Sequence, residues 1–191
     1  TVRIPVTWGS HINDDYTIDE AWINRVQEIV DYCVDQDMYA IVNIHHDGAA
    51  NHDDRGNNTP ACWLDTYSQN IEKVYQKYEG VWNTIANRFK DYDEHVIFES
   101  MNEVTDAHGT ATNEDDAVLN ALNQLFINTV RATGSNNTKR WLAITGRFAT
   151  TAAITTMPED TLADSGDLGT TRLMFARSEE RRVGKECRSR W

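Results

Sequence analysis

Apolar residues recur along this chain in two alternating rhythms. Short β-branched and apolar runs span Thr1 to Val6, Ala40 to Ile44, His95 to Ser100 and Arg140 to Thr145, and Arg172 to Ala176 starts a fifth. Each reads as a buried strand. Between them the spacing changes to three and four residues. Trp22, Ile23, Val26, Ile29, Val30, Cys33 and Val34 mark an amphipathic helix, with Asp19 as its N-cap. Ile71, Val74, Tyr75, Tyr78, Trp82, Ile85 and Phe89 trace a second helix. Val118, Leu122, Leu125, Phe126 and Val130 make a third, closed by Gly134. A polar loop runs from about His45 to Asp65, and the small residues after the fourth strand suggest a short helix.

Strands alternating with helices imply parallel strands joined by right-handed crossovers. The strands are apolar throughout, as expected when both faces are covered. A doubly wound sheet and a barrel both fit this pattern. No Gly-x-Gly-x-x-Gly follows any strand, so a dinucleotide fold gains no support. Polar, reactive residues instead crowd the C-terminal strand ends: His45-His46-Asp47, Asn102-Glu103 and Thr145-Gly146-Arg147. In a barrel, chemistry sits on that face.

Composition narrows the picture. The 191 residues suggest one domain, whereas a complete (β/α)8 barrel takes roughly 250. The formal net charge of −12 is opposite to the basic surface that a nucleic-acid partner requires. No apolar run approaches the roughly 18 residues of a membrane span, so no membrane partner is expected. The chain opens inside a strand without an initiating Met, so the true N-terminus and any signal peptide are expected to precede it. Cys33, Cys62 and Cys187 have no metal-ligand spacing. Cys33 lies on a helix stripe and reads as a core thiol, with a Cys33–Cys62 disulfide as the alternative.

Arg177 to Trp191, RSEERRVGKECRSRW, departs from the rest. It carries five Arg and one Lys in an acidic chain and shows no periodicity. The run is similar to the in-frame translation of a short-read sequencing adapter. We expect residues 177–191 to be non-native and residues 1–176 to form the folded unit.

Three motifs carry a resemblance over Thr1 to about Ala176. They are Val2-Arg3-Ile4-Pro5-Val6-Thr7-Trp8, Val42-Asn43-Ile44-His45-His46-Asp47 and Phe98-Glu99-Ser100-Met101-Asn102-Glu103. In this order, on strand ends, the chain resembles glycoside hydrolase family 5, the cellulase family of clan A. The resemblance implies an α/β fold, an incomplete TIM (β/α)8 barrel of about strands two to five plus part of the sixth. It also implies a secreted, extracellular hydrolase acting on a polysaccharide, a β-glucan, without a cofactor.

Glu103 would then be the catalytic acid/base. Glycosidic cleavage needs one carboxylic acid on the leaving oxygen and a second carboxylate to attack, roughly 5 Å away in retaining enzymes. Partial burial and the nucleophile's charge would raise the acid's pKa. The resemblance makes Asn102 the partner of the sugar 2-hydroxyl, although a turn-forming Asn is the plainer alternative. It pairs Arg3 with the nucleophile, against a purely structural ion pair. His45 would line the sugar site, with His46 beside it as a substrate contact. Trp8, His11 and Trp63 are further substrate-binding candidates: Trp8 as a stacking platform, Trp63 equally as a loop anchor, and His11 from its place after the first motif. Trp22 and Trp82 sit on helical stripes and read as core. Glu99 would support the site from beneath or pair with a buried donor.

Adjacent His side chains on a strand end point apart, which disfavours His45 and His46 as a metal pair. No catalytic metal is expected, while the loop from Gly48 to Pro60 retains the option of a structural Ca²⁺ without an EF-hand pattern. The family's nucleophile belongs to the seventh strand, and no matching motif occurs here. Val104 replaces a common Pro after the acid. These departures lead us to expect a fragment that neither folds stably nor turns over by itself. The favoured parent activity is that of a retaining endo-β-1,4-glucanase. Xylanase, mannanase or broad β-glucanase activity, an inactive carbohydrate-binding fragment, and a metal hydrolase are the competing readings.

Overall fold

The computed structural model describes residues 1–48, 62–105, 113–149, 158–160 and 172–176. The expected tail at 177–191 and most of the loop weighed for Ca²⁺ lie outside these residues. Five parallel strands form one sheet in the order β1-β2-β3-β4-β5, over Val2–Ile4, Ala40–Asn43, Val96–Glu99, Leu142–Ile144 and Leu173–Phe175. Three helices, α1 (Glu20–Val34), α2 (Ile71–Phe89) and α3 (Asn113–Ala132), connect the first four.

The strands are one or two residues shorter at each end than their apolar runs, except that β2 starts with its run at Ala40. Pro5 has no N–H to extend the β1 ladder. The Arg140 carbonyl accepts from the Arg131 guanidinium at 2.9 Å, before β4 begins. A 3-10 turn over Arg147–Ala149 follows β4, while most of the small-residue segment expected to form a short helix, residues 150–157, lies outside the described residues.

Helix starts and stops follow local chemistry. The Asp19 side chain accepts from Trp22 N at 3.0 Å, capping α1 as expected. Gly134, at φ 71°, turns the chain out of α3. Gly80 sits inside α2, where glycine costs about 1 kcal/mol. A Cβ there would lie 2.7 Å from Tyr16 Cβ, so the loop before α1 can approach only a bare backbone.

Strand side chains alternate between two faces. Ile4, Ala40, Val42, Val96, Phe98, Leu142 and Ile144 join one buried core with Ile23, Val26 and Val30 of α1, Tyr78, Trp82 and Phe89 of α2, and Leu122, Phe126 and Val130 of α3. All three helices therefore cover one face. Arg3, Ile41, Asn43, Ile97, Glu99 and Ala143 occupy the alternate positions and stand outside that core. A doubly wound sheet would reverse strand order and carry helices on both faces. Monotonic order with one covered face is the wall of a barrel. Cys33 is buried in α1 and both Cys33 and Cys62 are free thiols, so the alternative disulfide is absent.

Arg140 closes the base of the wall. It is 3% exposed and donates to the carbonyls of Phe89, Tyr92, Asp93 and Val96 at 2.6–2.9 Å, and to Asn137 Oδ1 at 2.6 Å. Burial pulls its pKa down to about 10, so it stays charged at neutral pH. Its partners are largely carbonyls at and after the C-terminus of α2, where a cation complements the helix dipole.

Candidate active site at the C-terminal strand ends

The site begins with Arg3 on the uncovered face of β1. Its Nε donates to Glu99 Oε2 at 2.6 Å and its Nη2 to Glu99 Oε1 at 3.0 Å, a bidentate pair spanning β1 to β3. The same Nη2 donates to Asn102 Oδ1 at 2.8 Å. Register explains the reach: Asn43 of β2 pairs with Glu99, and Arg3 with Ile41 two residues below. Arg3 was expected to meet the nucleophile; among the described residues its carboxylate partner is Glu99. A half-buried guanidinium and a buried carboxylate each gain from a counter-charge, and these two supply one another.

Arg3 is donor-only, so it fixes the orientation of the Asn102 amide. Oδ1 faces Arg3, and both Nδ2 protons remain to donate elsewhere. The backbone here is fastened as well. Asn102 N donates to Ile44 O at 2.7 Å, and Ser100 N to Ala143 O at 2.8 Å. Tyr78 Oη and Trp82 Nε1 donate to Ser100 O at 3.0 and 3.2 Å. The helix face that fills the core thus also clamps the strand end carrying Asn102 and Glu103. Glu103 is half-buried, and no described residue hydrogen-bonds or pairs with its carboxylate.

Asn43, which the motif contains but sequence reasoning gave no role, links the second strand end to this network. Its Nδ2 donates to Glu99 Oε2 and lies 3.1 Å from His45 Nδ1, while its Oδ1 faces Val6 N. Neutral His45 therefore accepts at Nδ1 and keeps its proton on Nε2. Burial, His46 and Arg3 lower the His45 pKa to about 4, so it is neutral at pH 7.

His45 and His46 do not point apart as expected. Their ring centroids are 4.4 Å apart, edge to face. The reason is that β2 ends at Asn43, and extended alternation ends with it. His45 is 8% exposed and His46 is open to solvent.

Trp8 corrects the sequence reading. It is fully buried, with Nε1 donating to Asn43 O at 2.9 Å, and has no face to offer a sugar. His11 stacks on Trp22, centroids 3.9 Å apart and planes 9° from parallel. That contact draws His11 to α1 and leaves Trp22 half-buried at the core margin. Trp82 is core, as its stripe indicated.

Asp47, the last residue of the second motif and given no role from the sequence, is the hub of the neighbouring loops. It is fully buried and accepts from Trp8 N, from Gly9 N at 2.6 Å and from Trp63 Nε1 at 2.8 Å. Lys77 Nζ lies 4.9 Å from the Trp63 ring centroid. Trp63 is thus held by its edge through Asp47, and Trp8 is built into the same support.

Burial raises the Asp47 pKa from its ordinary 3.8 to about 6, against the three donors. The folded state then binds a proton before the unfolded state does as pH falls. This contribution to stability grows as pH drops from about 6 to about 4, and amounts to about 2–3 kcal/mol. Asp47→Asn in the intact protein should abolish that slope in melting temperature against pH. An unchanged slope would refute the assignment.

Comparison with known proteins agrees with this geometry. The family model described as cellulase (glycosyl hydrolase family 5) matches residues 1–175. Cellulase/esterase CelE of Acetivibrio thermocellus is 44% identical over 158 residues, covering 78% of this chain and 18% of that protein. Endoglucanase A of Paenibacillus barcinonensis is 41% identical over 151 residues, covering 76% and 36%. A family 5 xyloglucanase from Paenibacillus pabuli superposes with TM-score 0.78 at 37% identity, over 90% of this chain and 48% of its own. A GH5-4 broad specificity endoglucanase from Ruminococcus champanellensis with bound cellotriose gives 0.73 at 37%, over 90% and 47%. The chain therefore spans about half the length of these solved relatives, and the five-stranded wall is part of a TIM barrel. By sequence motif, strand order and family match together, the chain belongs to the cellulase family, glycosyl hydrolase family 5.

Proposed function

We propose that this chain supplies the acid/base half of a retaining endo-β-1,4-glucanase. The reading is carried chiefly by the 2.8 Å bond from Arg3 to Asn102 Oδ1. It turns the Asn102 amide protons away from Arg3, next in sequence to a Glu103 carboxylate that no described residue engages. Asn102 Nδ2 then donates to the sugar 2-hydroxyl, a contact that strengthens in the transition state. Glu103 protonates the glycosidic oxygen as the bond breaks, and later takes a proton from the incoming water. His45, neutral, donates from Nε2 to a second hydroxyl. Trp63 offers the ring face opposite Lys77 for stacking.

Glu99 is not the attacking group, because Arg3 and Asn43 engage both its oxygens and it is 3% exposed. The nucleophile is assigned to the strand following β5, so these 191 residues alone should not turn over. A glucan range that includes xyloglucan is supported by the xyloglucanase and broad-specificity relatives. Secretion fits a polymeric substrate, and among the described residues no helix is long and apolar enough to cross a membrane.

The test is the full-length enzyme on barley β-glucan, cellulose, xyloglucan, xylan and mannan, with product anomers followed by NMR. Release of β-anomers from glucans is expected. Initial α-anomers, or cleavage of mannan alone, would overturn the reading.

A further inference from the structure

The opposite end of the sheet carries a recess unrelated to Glu103. It measures about 430 Å³, and Tyr39, Glu94, Lys139, Trp141 and Arg172 are among the residues that line it. These residues precede β2, β3, β4 and β5, at the N-terminal strand ends. At about 3.3 Å per residue along the strands, the recess lies roughly 20 Å from the proposed site.

Two features set this recess apart from an ordinary surface hollow. Trp141 and Tyr39 are 37% and 40% exposed, yet both are braced. Arg172 lies over the Trp141 ring at 5.7 Å and is itself tied to Lys139 O at 2.9 Å. Tyr39 packs on His95 at 4.9 Å, and His95 is held between Asp37 and Asp93. The floor is Arg140, with its donors already committed to carbonyls and Asn137. Rigid aromatic platforms lose little entropy on binding. Beside them, the Glu94 carboxylate and the Lys139 ammonium have no partner among the described residues.

This combination matches one ligand chemistry. Pyranose rings present apolar C–H faces for stacking and hydroxyls that both donate and accept. A nucleic acid would meet an acidic chain, and an apolar peptide would leave the charged groups stranded. Tyr39 and Trp141 flank strands two places apart in the sheet, roughly 10 Å, a span suited to alternate sugars of one extended β-linked chain, which present the same face. We propose that the recess is a second binding site for a β-linked glucan, with Trp141 and Tyr39 as stacking platforms and Glu94 and Lys139 as hydroxyl partners. Identification of the glucan rests on the activity proposed above.

The test is calorimetric titration of cellohexaose into the full-length enzyme silenced by Glu103→Gln. Two sites are expected, falling to one when Tyr39→Ala and Trp141→Ala are added. Hydrolysis of cellotetraose by the same double variant, with Glu103 intact, should be unchanged. Should the double variant melt early, Glu94→Ala, an exposed change, is expected to weaken the second site about three- to tenfold. One site in the silenced parent, or two in the double variant, would overturn the proposal. A wild-type enzyme that hydrolyses no β-glucan, while the count still falls from two to one, would sink only the activity.

Discussion

Glu103→Ala in the full-length enzyme is expected to lower kcat on β-glucan by about 10²–10⁴-fold, the usual contribution of a positioned general acid. A substrate whose leaving group departs without a proton separates the two steps. With an activated aryl glycoside the first step should recover, and the glycosyl-enzyme should accumulate, because no base remains to activate water. Azide needs no base. Added azide should restore turnover and yield a β-glycosyl azide, the configuration that double displacement demands. Unchanged kcat on β-glucan would remove Glu103 from the role. An α-azide would instead indicate a single displacement, with Glu103 as the nucleophile or the site an inverting one.

The second large effect concerns Glu99, which touches no substrate in the proposed mechanism. Glu99→Ala leaves Arg3 without its counter-charge and is expected to cost about 3 kcal/mol, the low end for breaking a buried pair. The low end applies because the Arg3 side chain is 29% exposed, against 4% for Glu99. Activity should fall too, since Arg3 then no longer fixes the Asn102 amide. Arg3→Met with Glu99→Leu separates these losses. Two apolar side chains of similar volume should recover much of the stability and none of the activity. Recovery of both in the double variant would show that the network serves folding alone. Thermal melts and kcat on one set of variants decide between the two.

Much of this was legible before any coordinates. The helices followed from three- and four-residue spacing, and Asp19 caps α1 where its position before Glu20 and Trp22 suggested. Strand ends carrying His45, Asn102 and Glu103 followed from polar residues placed just after apolar runs. What stayed hidden depends on side-chain direction and register. Arg3 reaches Glu99 across two strand spacings and two residues along the ladder, and only the register shows that both stand on the same face. Trp8 reads as a sugar platform until its indole N–H is seen bonded to Asn43 O beneath the loop. His45 and His46 seemed set on opposite sides because the apolar run ended at Ile44, whereas the ladder ends at Asn43. Asp47 looked like one acidic residue among several, and only its burial singles it out.

The strand order β1-β2-β3-β4-β5 has a kinetic consequence. Each strand bonds to the one synthesised just before it, so no pairing waits for a distant segment. Loop-closure entropy stays at the cost of a single crossover for every strand added, which favours rapid formation. A chain emerging from the ribosome can therefore zip up this wall stepwise, N-terminal strand first. The carboxylate of Glu99 arrives with β3, so Arg3 finds its partner while later strands are still being made. The charge network at the site is thus an early event in assembly, set before the rest of a barrel could close over it.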